Sequence, residues 1–256
     1  MSAAAGGGEQ FYIGWDVGGW NCDTNAKSRD AIVILDDALG IVGRPWRGNL
    51  RETINTSTNT DTWIRALFAR CDADIPGSFS HAYLGIDTPL GFSNEFTALV
   101  TGLRSVEKIG ESSSNLYLFR MTERVLFEQG ISPLSAVKDM IGSQATKGMH
   151  VLARFARTVA GCGIWTDGRM LTVLEAYPSA CKKSATVAEL AARYQPLGHE
   201  DKDDAMLCAL VAYLYAEKRD SLFLPDEAVP PSEGWIWVPK DSLGMNKKPV
   251  LKVALP

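Results

Sequence analysis

Positive charge is in short supply: 26 lysines and arginines face 30 aspartates and glutamates, for a net charge of −4. That balance argues against avid, sequence-blind binding to nucleic acid. Histidine is scarcer, at three residues, and the five cysteines (Cys22, Cys71, Cys162, Cys181, Cys208) are an odd number with no CxxC spacing. Neither a disulfide framework nor a structural zinc cage is indicated, and a reducing cytoplasm is the expected location. Long apolar runs are missing too. The longest, Ala205 to Ala216, has 12 residues, short of the roughly 18 needed to span a bilayer, so no membrane association is expected. The opening MSAAAGGGEQ lacks the basic start and apolar centre of a secretory signal, and residues 1–10 read as a disordered leader.

What remains is an ordinary globular composition, 46% apolar and 22% charged over 256 residues, enough to bury a sizeable core. Phe11 to Trp20 (FYIGWDVGGW) reads as an apolar strand carrying one carboxylate, Asp16, just before Gly18-Gly19. Asp30–Leu35 and Ile41–Arg47 read as two further strands, the latter an edge because of Pro45, which together make an antiparallel meander. A helix is expected over Thr60–Cys71, capped by Thr60 or Asp61. His81–Ile86 is a strand ending at Asp87-Thr88-Pro89. The stretch from about 90 to 168 reads as a helical insertion, with helices over Leu116–Gln129 and Pro133–Val159. Met170–Ala176 is a strand with Glu175 near its exit, Ser184–Arg193 a short helix, and Asp203–Lys218 a buried one. Trp235–Val238 is a late strand. The expected fold class is therefore α/β, a mixed sheet with an antiparallel meander followed by parallel crossover strands, flanked by helices. One domain covers 11–240, and 241–256 form a tail.

Ligands in such sheets gather beyond the carboxyl ends of strands, and Asp16, Asp87 and Glu175 all lie at or near such ends. Asp201 and Asp204 sit three residues apart where a helix begins. Acids in a first turn also complement the helix dipole, so a purely structural role accounts for those two equally well. It does not account for acids at the ends of three separate strands. Carboxylates gathered without a counter-ion repel one another, and Mg²⁺ or Mn²⁺ relieves this through oxygen ligands. Acids without a cysteine and histidine cage point to phosphate chemistry. Two such ions about 4 Å apart can activate water and stabilise the leaving oxygen of a phosphodiester.

The ordered set Gly14-Trp15-Asp16, Gly85-Ile86-Asp87-Thr88-Pro89-Leu90-Gly91, Arg120-Met121-Thr122-Glu123, Glu175-Ala176-Tyr177-Pro178, Asp201-Lys202-Asp203-Asp204-Ala205 and Glu233-Gly234-Trp235-Ile236 resembles the domain of unknown function 429 family, regarded as RNase H-like nucleases. The resemblance spans roughly Phe11 to Pro239. More distantly, Asp16 and Asp201-x-x-Asp204-Ala205 are similar to RuvC-type junction resolvases, which use a glutamate where this chain has Asp87. The resemblance implies an RNase H-like fold, two-metal-ion hydrolysis of nucleic acid, and Asp16, Asp87 and Asp204 as metal ligands with Asp201 next. Glu175 is either a ligand or an anchor for the Tyr177-Pro178 turn. His199 is either a proton shuttle or a solvated neighbour of the helix cap.

Between Thr101 and Ala160 eight basic residues face five acidic ones. Arg120, Lys138 and Lys147 are the candidates there for contacting substrate, although Arg120 and Glu123 have the spacing of a helical ion pair. Trp15, Trp20, Trp63 and Trp165 serve either as base-stacking platforms or as core. A homodimer is expected only by analogy with the resolvases. Two rival readings remain. Asp16-Val17-Gly18-Gly19 has the look of the phosphate loop of actin-like ATPases and sugar kinases, and the fold could also serve as a non-catalytic nucleic-acid-binding module.

Overall fold

The computed structural model describes residues 9–25, 27–77 and 79–244. Most of the expected leader (1–8) and tail (245–256) lies outside the described residues. β1 (Glu9–Asp16) is the centre of the sheet, and Phe11 to Trp15 are buried without a break because both faces are covered. β2 (Asp30–Leu35) runs antiparallel beside it, and β3 (Trp46–Gly48) forms the edge beyond β2. On the other side β4 (Phe79–Asp87) pairs parallel with β1, and β7 (Leu171–Ala176) parallel with β4. The sheet continues antiparallel through β6 (Ile164–Thr166) to β5 (Thr158–Gly161), while β8 (Ile236–Trp237) adds to β7 in parallel. The order β3-β2-β1-β4-β7-β6-β5 is the expected α/β layout: one open mixed sheet, a meander followed by crossovers, in agreement with an RNase H-like arrangement.

Alternate residues of β1 serve two cores. Phe11, Ile13 and Trp15 pack against α2 (Thr60–Arg70) and α5 (Gly142–Phe155), where the Trp63 and Phe155 rings stack at 5.2 Å. Tyr12 faces the opposite side with α8 (Glu200–Glu217), whose Ala205, Cys208, Ala209 and Ala212 are fully buried. An 18-residue helix apolar on nearly all sides fits only in an interior. The remaining helices are short: α1 (Arg51–Thr56), α3 (Asn94–Gly102), α4 (Met121–Glu128), α6 (Pro178–Cys181) and α7 (Ala185–Ala191). Among the described residues no helix is long and apolar enough to cross a membrane.

Several boundaries differ from expectation: the helices expected from Leu116 and Pro133 begin only at Met121 and Gly142, and three further differences have a local cause. The third strand shrinks to Trp46–Gly48 because Gly43 turns at φ +68° and Pro45 follows, leaving Ile41 a single bridge to Leu35. The cap of α2 is Asn59, whose side chain accepts the Thr62 amide while the Thr62 hydroxyl answers the Asn59 amide. The helical insertion ends at Phe155, since 158–166 form a hairpin that joins the main sheet. Gly163, at φ +68°, makes that turn beneath Trp235, where a Cβ would lie 2.5 Å from the Trp235 side chain.

Candidate active site

β1 and β4 run parallel and in register, so Tyr12, Gly14 and Asp16 stand beside Tyr83, Gly85 and Asp87. With a side-chain period of two, both triplets face one side of the sheet, the side that α8 covers. The Tyr12 and Tyr83 rings stack at 5.9 Å. In the next row a Cβ on Gly14 would sit 1.8 Å from the Ala205 carbonyl oxygen, and one on Gly85 2.3 Å from that of Cys208. Two absent side chains thus let the α8 backbone settle directly on the sheet. The last row is the pair of carboxylates.

The first turns of α8, just before that point of contact, carry Asp201 and Asp204 to the same place. His199 caps the helix, its Nδ1 accepting the Asp201 amide at 3.1 Å, so the capping role is the one observed for it. Asp16, Asp87, Asp201 and Asp204 line one cleft of about 470 Å³, together with Glu175 and Glu200.

Counter-charges around this cleft are unevenly distributed. Asp201 receives Arg47 Nε at 2.7 Å and the Arg29 amide at 3.2 Å. Asp204 Oδ1 meets Lys182 Nζ at 2.6 Å. Glu175 is in register with Ile86, so it points to the sheet face opposite Asp87. There Arg120 holds its two oxygens at 2.8 and 2.7 Å, and the Leu90 amide adds a bond at 2.9 Å. These bonds tie Glu175 to Arg120 and the Leu90 backbone rather than to the Tyr177-Pro178 turn. Among the described residues no hydrogen bond or ion pair reaches the side chain of Asp16 or Asp87.

The electrostatic consequence is large. Burial, then the charges of Asp87, Asp201, Asp204 and Asp30, push the Asp16 carboxyl up to about 9. Burial, then Asp204 and Glu175, push Asp87 up to about 7, with Lys182 pulling the other way. Two adjacent acids that resist ionisation and have no partner among the described residues are the pair that could hold an external cation.

Oxygen-only donors suit Mg²⁺ or Mn²⁺, and Mg²⁺ commonly uses one or two carboxylates and keeps several waters. Asp16 and Asp87 fit that requirement. Among the described residues no group of three His, Cys, Asp or Glu side chains is arranged to hold one ion, and Asp201 and Asp204 already have protein cations beside them. The four-aspartate set is thus brought into one cleft, but only two of its members are unengaged.

The expected substrate contacts require correction. Lys147 is fully buried, its Nζ 2.5 Å from Asp30 and 3.2 Å from the Gly18 carbonyl oxygen; it cannot reach a phosphate outside. Arg120 is buried as well, committed to Glu123, Glu175 and the Glu233 carbonyl. Lys138 is half-exposed beside Asp139, in a neighbouring groove that shares Pro133 and Leu134 with the cleft. Trp15, Trp63 and Trp165 are core residues, and the Trp20 indole donates to Thr146.

Sequence reasoning missed Asp30, Arg47 and Lys182. Asp30 carried a signal, an acid opening the otherwise apolar strand DAIVIL. Its carboxylate accepts the Trp15 indole, the Gly18 amide and the Leu50 amide at 3.0, 3.0 and 2.7 Å. The same bonds argue against a nucleotide-binding phosphate loop, because the Gly18 amide points inward to Asp30. Arg47 and Lys182 carried no signal in their spacing. No protein-family model matches the chain, and neither a curated protein nor a solved structure matches it.

Proposed function

We propose that this chain is a divalent-metal-dependent phosphodiesterase acting on nucleic acid. The observation that carries the reading is the pair Asp16 and Asp87, in register on adjacent central strands, without a partner among the described residues, lining one open cleft. A phosphate could not approach six carboxylates bare, so the same acids that would repel substrate would recruit the cation that admits it. When bound, Mg²⁺ or Mn²⁺ supplies Lewis acidity at a phosphoryl oxygen and lowers the pKa of a bound water. Asp16 and Asp87 would hold the ion, and the chain's other residues fix where those two carboxylates stand. Gly14 and Gly85 set the depth of α8, and Asp30 ties down the turn after Asp16. Arg120 fixes Glu175 and, through it, the Leu90 backbone downstream of Asp87. The order of motifs shared with the domain of unknown function 429 family supports nucleic acid as the substrate class.

The test is cleavage of labelled single-stranded, duplex and branched DNA and RNA with Mg²⁺ or Mn²⁺. Asp16→Asn and Asp87→Asn are each expected to lower the rate on the order of 100-fold or more, the scale of losing one charge-stabilising group. Cleavage by both variants at the parent rate would sink the proposal.

A further inference from the structure

The charges around the cleft can be paired off one by one, and the pairing leaves a question about how many ions fit. Asp201 has Arg47, Glu175 has Arg120, and Asp204 has Lys182. Among the acids of the lining Asp16, Asp87 and Glu200 are left, with Lys27 the one cation on it, and one divalent cation balances the adjacent Asp16 and Asp87. A two-ion phosphodiesterase needs a second cation about 3.5–4 Å from the first, bridged to it by shared ligands. In this chain the carboxylate that would complete the second site is Asp204, and its Oδ1 lies 2.6 Å from the Lys182 ammonium.

Lys182 is well placed for this. It caps the C-terminal end of α6, the short helix that follows the exit of β7, and its ammonium reaches Asp204. Its side chain is 54% exposed and that of Asp204 24%; Asp204 lines the cleft, and Lys182 stands beside it, just outside the lining. Its charge is also felt by Asp87. An ammonium is a compact point charge on a flexible stem. It can stay on Asp204 or turn to a phosphate oxygen without leaving the rim.

We propose that Lys182 stands in for the second metal ion: the site takes one divalent cation on Asp16 and Asp87, and the lysine supplies the other positive charge from Asp204. This rests on the metal-dependent reading above and deepens it. It changes the expected stoichiometry and assigns Lys182 the role of counter-charge on the phosphate.

Calorimetric titration with Mn²⁺ alone, in the absence of nucleic acid, tests it, together with electron paramagnetic resonance for the signal of a coupled ion pair. The parent protein should bind one Mn²⁺ and show only an isolated-ion spectrum. Lys182→Ala should free Asp204 and bind two, with a coupled spectrum, while Lys182→Arg, which keeps the charge, should remain at one. Thermal melting checks that both variants stay folded, as expected for a half-exposed side chain. A parent that binds two ions, or a Lys182→Ala protein that still binds one, overturns the inference and leaves the metal-dependent reading standing. A parent that binds none overturns both.

Discussion

At the scale of single residues, the cleft stores its chemistry as unfavourable protonation equilibria. A carboxyl whose pKa is higher folded than unfolded costs stability once pH exceeds the unfolded value. Below about pH 4 both states carry the proton and nothing is lost. Above it the unfolded chain ionises freely, while the folded one resists until about 7 at Asp87 and about 9 at Asp16. Stability therefore falls as pH rises across that window. In chelator, the melting temperature of the parent should decline from about pH 5 to about pH 9, and Asp16→Asn should reduce the decline, at roughly 2–4 °C per kcal/mol recovered for a chain of this size. Mg²⁺ should restore the parent at high pH and leave Asp16→Asn nearly unmoved. Parallel melting curves for the two proteins across the whole range would rule this account out.

At the scale of elements, the site depends on how closely α8 approaches β1 and β4. Gly14→Ala or Gly85→Ala places a methyl group inside the space of a backbone carbonyl. Neither strand nor an apolar helix can yield cheaply, so each substitution should cost at least about 2–3 kcal/mol by denaturant unfolding. Each should also weaken Mn²⁺ binding by displacing the N-terminal turn of α8. Gly77→Ala, whose Cβ would meet nothing within 4 Å, should stay within about 0.5 kcal/mol of the parent. Equal stability for Gly14→Ala and Gly77→Ala would contradict the packing described.

Much of this level was legible in the sequence. The central strands and α8 announce themselves by unbroken apolar runs bounded by acids, and the acids at the strand ends mark the cleft. The hairpin at 158–166 was not, because Thr158 to Thr166 (TVAGCGIWT) follows a helix of strong amphipathic pattern and is short. Its Gly-Cys-Gly turn and β-branched flanks were the available clue. Charge partners were the least readable part. Lys147 and Arg120 look like any surface cation on a helix, and only the fold shows that each closes a buried ion pair. The pairing of Lys182 with Asp204 joins residues with no pattern between them.

At the scale of the whole molecule, two of the eight cations of the middle segment are spent in buried ion pairs. Arg120 and Lys147 are buried, and Arg154 and Arg157 bond the carbonyl oxygens of Ser57 and Ala153. Arg104, Lys108 and Arg157 stay exposed, a short set of cations to trade for counterions on a phosphate backbone. Nucleic-acid affinity should therefore depend weakly on salt, with a log–log slope shallower than about −3, measured by titration across ionic strength. A slope near −6 or steeper would point to an extended basic track elsewhere on the surface.

The Arg120 guanidinium gathers Glu123, Glu175 and the Glu233 carbonyl, while the Glu233 carboxylate takes the amides of Asn94 and Met121. The knot closes only once Glu233 is in place, and the inner face of the sheet waits for the helix at Glu200–Glu217. On the ribosome the emerging polypeptide therefore holds β1 and β4 with one side bare until residues 200–217 have emerged. Nascent chains halted before residue 200 should consequently recruit chaperones, and chains carried past residue 238 should release them.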